Sequence, residues 1–433
     1  MNERPVAIDL FAGCGGMSLG LEAAGFDVAV AVEFDAVHAL VHHFNFPYCH
    51  TICRDITQVT SREIIEILRS KGYQTDIDLI AGGPPCQGFS LMGKRQMDDP
   101  RNSLVFQYFR IISEIKPKYF IFENVPGIAT GNHRQFLEEL ITQFESIGYL
   151  ITKPIQILDA SEYGAPQKRK RLILLGSRSD VEMAKYPDIT CGSEKKKQQD
   201  LFWQNISPLT TVFDSIADLQ AIPAITGLDQ GIPVKCLSYV GKRKKYSPIP
   251  KDVFKLCHQR FNGGLIYGHI GSVHTEKSIA RFALTEPGTV EKKSRFLRLS
   301  ADGLCNTLRA GTNSDKGAYT APRPIHYALP RCITVREAAR LHTFPDWFQF
   351  HRTIWHGFRE IGNAVIPLLA KELGSAIMVS LGVSPEELKV LRLAKMEESL
   401  LNYNISQASA YWGVNDNVIP KRKRLTGEQA KRW

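Results

Sequence analysis

At 433 residues, 43% hydrophobic and 23% charged, the chain has a globular composition, with length for two or three domains and a core needing no disulfide or metal. A net charge of +10 points to a polyanionic partner, nucleic acid before membrane, because no basic amphipathic helix stands out. No apolar run approaches the ~20 residues of a membrane span. Met1–Pro5 is polar and leads straight into a strand, so the sequence predicts no secretion signal and a cytoplasmic, nucleoid setting. Nine cysteines, odd in number and without a Cys-x-x-Cys pair, fit reduced thiols. Cys49, His50 and Cys53 lie close to His42 and His43 but match no zinc spacing, so no metal is expected.

Val6–Phe11 reads as a first buried strand, broken by Ala12-Gly13-Cys14-Gly15-Gly16. Met17–Ala24 follows as a helix ended by Gly25. Strand, glycine loop and helix make a nucleotide-site pattern, and a turn that simply needs glycine reads equally well. Ser18 stands where the third glycine of the dinucleotide fingerprint belongs, which disfavours a nicotinamide dehydrogenase. A second strand, Val28–Val32, ends in Glu33-Phe34-Asp35. An acidic residue there accepts ribose hydroxyls in such folds, while Asp35 also suits the N-cap of a helix over Ala36–Phe44. Thr51–Cys53 reads as a third strand ending at Asp55, and Thr60 with Glu63 as a capping box for Ile64–Leu68.

The apolar run Ile77–Ala81 leads into Gly82-Gly83-Pro84-Pro85-Cys86-Gln87-Gly88-Phe89-Ser90. Two glycines and two prolines stop the strand abruptly. Cys86 then sits on a stiff turn at the strand's carboxyl end, where open α/β sheets bind ligands and where a thiol can act as nucleophile. A small cysteine buried in a tight turn is the plainer alternative. Leu91–Asn102, with Arg95 among its charges, has the composition of a lid or of an ordinary surface loop. Leu104–Ile115 is apolar at helical spacing. Tyr119–Phe122 is a fifth strand ending at Glu123-Asn124-Val125.

A helix over Phe136–Phe144 and strands over Ile151–Leu158 and Arg171–Gly176 come next. The run Gln167-Lys168-Arg169-Lys170-Arg171 places two arginines at alternate positions, sharing a face. From Asp180 to about Pro324 the repeat pattern fades, and basic clusters interleave with aromatics. That stretch reads as a second, irregular domain with a basic face, or as a decorated insertion. Helical pattern returns over Val335–His342, stopped by Phe344-Pro345-Asp346. Ile361-Gly362-Asn363-Ala364-Val365-Ile366-Pro367 leads into a helix to about Leu381. The boundaries expected are 1–179 and 325–385 for one α/β domain, 180–324 for the second, and 386–433 for a helical, basic tail carrying Lys421-Arg422-Lys423-Arg424.

In this order the motifs resemble those of cytosine-C5 DNA methyltransferases of the bacterial restriction–modification type. Asp9–Gly16 resembles the S-adenosylmethionine loop, Gly83–Gln87 the catalytic motif, and Glu123-Asn124-Val125 the second catalytic motif. Gln167-x-Arg169-x-Arg171 is similar to the family's basic motif. Arg336–Leu341 with Phe344-Pro345-Asp346 resembles the motif supporting the recognition domain, and Gly362–Val365 the closing motif. The resemblance implies a class I S-adenosylmethionine-dependent methyltransferase fold: α/β, Rossmann-like, a mostly parallel doubly wound sheet with a smaller irregular target recognition domain.

It also implies roles. Cys86 would add to C6 of cytosine, Glu123 would serve N3, Arg171 would assist at O2, and Arg169 would orient Glu123 or the phosphate. The implied cofactor site comprises Phe11, Gly13, Gly15, Glu33, Phe34, Asp55, Ile56, Pro85, Leu104, Asn363 and Val365. Gln87, Ser90 and Arg95 would meet DNA around the flipped base. Double-stranded DNA, a cognate restriction endonuclease and a monomeric state complete the implied picture. A tRNA methyltransferase of the same fold and a non-enzymatic binding module are the rivals; the latter would be expected to lack Cys86 or Glu123.

Overall fold

The computed structural model describes residues 4–73, 76–85, 103–130, 133–192, 206–227, 229, 231–233, 253–258, 264–311, 323–384 and 396–415. Cys86, Gln87, Ser90, Arg95, the expected lid and the Lys421–Arg424 run lie outside these residues.

Five apolar segments form the parallel part of the sheet: β1 (Val6–Leu10), β2 (Asp27–Glu33), β3 (His50–Cys53), β4 (Leu79–Gly82) and β5 (Tyr119–Asn124). Helices connect them: α1 (Gly16–Ala24), α2 (Ala36–Asn45), α3 (Ser61–Ser70) and α4 (Ser103–Ile115). After α5 (His133–Ser146) the chain adds β6 (Tyr149–Ile151), β7 (Gln156–Asp159) and β8 (Lys170–Arg178). The order is β3-β2-β1-β4-β5-β8-β6, with β7 also paired to β8, and β8 runs antiparallel to β5. The single strand expected over 151–158 is thus two strands, separated at Pro154, whose nitrogen carries no ladder donor.

Burial on both faces explains the near-continuous apolar strands. One core holds Ile8, Leu10, Val30, Ile80, Phe120 and Phe122 under α3, α4 and α5. The other holds Ala7, Val28, Ala31 and Ile121 under α1 and the returning C-terminal helices. Glycines set two of the closest approaches. Gly176 faces Phe120 across β5–β8, where a Cβ would lie 2.0 Å from the ring. Gly20 lets α1 lie on the helix Pro367–Leu381, where a Cβ would lie 2.3 Å from that of Ala370.

Local capping largely follows the sequence. Asp35 accepts the N–H groups of Val37 and His38 and caps α2. Thr60 accepts the Glu63 N–H at α3. The Glu63 carboxylate, however, bonds the Arg54 guanidinium rather than closing a capping box.

The middle of the chain contributes α6 (Val212–Ile216), α7 (Glu276–Leu284) and two-stranded pairs at 191–192 with 207–208 and at 232–233 with 265–266. Then come α8 (Val335–Leu341), α9 (Ile354–Asn363), α10 (Pro367–Leu381) and α11 (Ile405–Trp412). Arg336 is fully buried and donates to the carbonyls of Tyr267 at 2.6 Å and Phe348 at 2.7 Å. Arg340 pairs with Asp218 and Asp346. These two guanidiniums clamp the middle segment onto α8.

Ile354–Leu381 is apolar enough to cross a membrane by composition, contrary to the sequence reading, which found no such run. It is two helices, α9 and α10, meeting at Ala364–Ile366, and α10 packs on α1 as a core helix.

Candidate active site

The carboxyl ends of β1, β2, β4 and β5 open onto one cleft of about 650 Å³. This placement follows from the parallel sheet, whose strands all deliver their exits to one edge. Ten of the eleven residues assigned to a cofactor line it: Phe11, Gly13, Glu33, Phe34, Asp55, Ile56, Pro85, Leu104, Asn363 and Val365.

The loop after β1 is bent for this purpose. Phe11 has a positive φ of 64°, a strained conformation for a bulky residue, and Gly13 has 58°. A Cβ on Gly13 would meet nothing within 4 Å, so its backbone faces open space. Glu33 holds the loop from the end of β2. One carboxylate oxygen accepts the Gly13 N–H and the other the Asp35 N–H, each at 2.8 Å. Each oxygen keeps a lone pair for a further donor. Burial raises the proton affinity of Glu33.

Gly15 is the exception. It is not among the lining residues. At φ 103° it caps α1, and a Cβ there would lie 2.2 Å from the Phe46 ring. Glycine is needed there for packing and turn geometry.

At the other end of the cleft the Glu123 carboxylate closes on Arg171 Nε at 2.6 Å, with about a tenth of each side chain exposed. Gly83 lies beneath; a Cβ on it would stand 2.8 Å from Glu123 Oε2. Asn124 donates from Nδ2 to the Pro84 carbonyl at 3.0 Å and ties the exit of β4 to the end of β5. The backbone leading to Cys86 is therefore anchored beside the Glu123–Arg171 pair.

Arg169 shares the cleft but not the pair. Its guanidinium donates to the carbonyls of Leu308, Gly362 and Ala364 at 2.9–3.0 Å. The sequence assigns Arg169 to orienting Glu123 or the phosphate; its observed bonds fasten the segments around 308 and 362–364 to the cleft. Burial, with Arg171 nearby, lowers the Arg169 pKa to about 9 despite Glu123.

Sequence reasoning missed several lining groups. Asp9, on β1, is buried and accepts the Ser18 hydroxyl at 2.6 Å. Ser18 also meets His42 Nε2 at 2.9 Å, and His42 Nδ1 meets the Thr51 hydroxyl. Burial raises the Asp9 pKa to about 7 and lowers that of His42 to about 3. Arg359, from α9, reaches Asp35 at 3.4 Å, and both line the cleft with His38. Burial pushes the Asp35 pKa up, but His38 and Arg359 outweigh it and leave it lowered. The acidic Asp9 was visible within the glycine-loop motif; nothing in the sequence pointed to Arg359.

The cleft suits S-adenosylmethionine. Its volume is in the range of small-molecule sites. It offers an open backbone cradle at Gly13 and acidic side chains at Asp9, Glu33, Asp35 and Asp55 for a cationic, hydroxyl-bearing ligand.

A family model of C-5 cytosine-specific DNA methylases matches residues 6–379. Type II methyltransferase M.XorII of Xanthomonas oryzae pv. oryzae is 45% identical over 437 residues, 99% of this chain and 97% of that protein. Type II methyltransferase M.DdeI of Desulfomicrobium norvegicum is 33% identical, covering 86% of this chain and 88% of its own. Among solved structures, a candidate DNA modification methyltransferase encoded in an Escherichia coli prophage is 32% identical. It has a TM-score of 0.67 over 88% of this chain and 100% of its own. The S. pombe Dnmt2 methyltransferase, at 17% identity and TM-score 0.54 over 88% of this chain and 100% of its own, shares the fold. With its strand-end cleft and motifs in place, this chain belongs to the C-5 cytosine-specific DNA methylases and is a DNA cytosine-5 methyltransferase.

Proposed function

We propose that the chain methylates C5 of a cytosine flipped out of one short duplex DNA sequence, through a bond between Cys86 and C6, and so marks host DNA in a restriction–modification system. The observation that carries this reading is the Glu123–Arg171 pair beside the backbone that delivers Cys86. C5 of cytosine is a weak nucleophile until a thiolate adds at C6 and gives it enamine character. Cys86 supplies that thiolate, favoured by the cationic surroundings of the basic run. Charge pushed onto the ring is met at N3 by Glu123, acting as a carboxylic acid that donates a hydrogen bond or its proton, and at O2 by Arg171. Arg169 acts one step back, holding the 308 and 362–364 segments in place.

Phe11, Gly13, Glu33, Phe34, Asp55, Ile56, Pro85, Leu104, Asn363 and Val365 would hold S-adenosylmethionine, Glu33 through the ribose hydroxyls and Asp55 through the adenine amine. When bound, S-adenosylmethionine supplies an electrophilic methyl group. Loss of the C5 proton to a water molecule and expulsion of the Cys86 thiolate then restore the ring. Gln87, Ser90 and Arg95 close around the flipped base. Residues 180–324 form the recognition domain, reading bases while cations fix the register on phosphates. A monomer, a cytoplasmic location and an endonuclease cutting the same site belong to this reading. The tRNA alternative is not favoured by the family match or the Type II relatives.

Cys86→Ser tests the chemistry. The variant is expected to bind S-adenosylmethionine and DNA yet transfer no methyl group; full activity would overturn the mechanism.

A further inference from the structure

The match to the family model stops at residue 379, but the described chain does not. Residues 396–415 fold back over α2. Leu400 and Ala408 join Ala36, Val37, Ala39, Leu40 and Cys53 in a small separate core, with Tyr403, Ile405 and Trp412 packed against it. The Trp412 indole N–H donates to the Ala36 carbonyl at 3.2 Å, in the first turn of α2. Ala36 directly follows Phe34 and Asp35, which with His38 make one wall of the cleft.

The same segment also grips a second wall. The Arg352 N–H donates to the Leu401 carbonyl at 2.9 Å. His351 Nε2 meets the Tyr403 carbonyl at 3.0 Å, and Arg352 pairs with Glu398 at 3.4 Å. Residues 351 and 352 lead into α9, which carries Arg359, Gly362 and Asn363 to the cleft. Between the two walls, within the cleft lining, stands the Arg359–Asp35 pair.

We propose that residues 396–415 are a brace that sets the separation of the α2 and α9 walls, with Trp412 as its positioning residue, and that cofactor affinity depends on it. The inference rests on the reading of this cleft as the cofactor site. A segment bonded to both walls restricts their relative movement, so the site is held ready before the ligand arrives. Trp412 itself is not among the lining residues; it meets α2 directly, through the Ala36 carbonyl and the His43 ring.

The test is calorimetric titration of the full chain with S-adenosylhomocysteine. Trp412→Ala is expected to bind roughly tenfold more weakly, a change of one decade in Kd. DNA affinity and kcat at saturating cofactor stay at the parent values, while KM for the cofactor rises with Kd. A Trp412→Ala protein that loses thermal stability but binds the probe within twofold of the parent overturns the brace and leaves a plain packing role. Should that variant not fold, Trp412→Phe decides. It keeps a ring on α2 but lacks the N–H, and its Kd is expected to rise by several-fold; an unchanged value overturns the proposal. A parent chain that does not bind the probe contradicts the cofactor reading itself and the brace with it.

Discussion

Arg171→Ala removes the guanidinium that closes on Glu123 at 2.6 Å. Both side chains are about nine-tenths covered, so the carboxylate left behind is only thinly reached by water. Removing one member of a buried ion pair costs about 3–5 kcal/mol, and the slight exposure here favours the lower end. Removing a donor aimed at developing charge costs ~2.7–4 kcal/mol in a transition state. The first cost falls on folding stability; the second acts on the rate and corresponds to a fall of about 10²–10³ in kcat. Single-turnover methyl transfer with labelled cofactor reads the rate, and fluorescence anisotropy of a duplex reads DNA binding. We expect the rate to fall by that factor with DNA affinity within about threefold of the parent. A rate within about threefold of the parent would make the pair scaffolding. A DNA affinity that falls as far as the rate would make Arg171 a phosphate contact.

Three further outcomes are expected. Glu123→Gln slows methyl transfer far more than it weakens DNA binding; equal losses would mark Glu123 as a structural residue. Gly20→Ala places a methyl 2.3 Å from the Ala370 Cβ and 2.5 Å from the Pro367 carbonyl, and should cost about 1–3 kcal/mol by overpacking, read as a lower urea midpoint. An unchanged midpoint would refute the close helix contact. Asp9 is raised by burial from 3.8 to about 7, so the folded state holds a proton that the unfolded state has lost, and its contribution to stability drains away as pH rises from about 4 through 7. His42, lowered from 6.5 to about 3, works in the opposite sense, adding stability as pH rises from about 3 to 6.5. Asp9→Asn removes only the first effect, so urea unfolding should show the variant gaining on the parent across pH 4–7. A constant difference over that window would contradict the titration of Asp9.

The sheet and the strand-end residues were legible because parallel strands announce themselves as apolar runs and their exits share one edge. That logic places Glu33, Asp55, Pro85 and Glu123 in one cleft without any long-range information. It does not separate neighbours of like type. Gly13 and Gly15 read alike, yet one faces the cleft and the other lies against Phe46, a residue from a different helix end. Arg169 and Arg171 stand at alternate positions at the start of β8, Arg169 just ahead of the strand, but the acceptors that claim Arg169 lie 139 to 195 positions away in sequence. Arg359 reaches the cleft only because α9 returns beside α2, a docking helped by bonds from 396–415 that no local pattern encodes.

The central claim is that this chain writes 5-methylcytosine into DNA. Base-resolution methylation mapping of a methylation-free bacterial host expressing the chain tests it most directly. The account predicts 5-methylcytosine at one short motif, absent from the same host expressing Cys86→Ser. Unmodified DNA from a host in which the parent protein is folded and binds S-adenosylmethionine would contradict it.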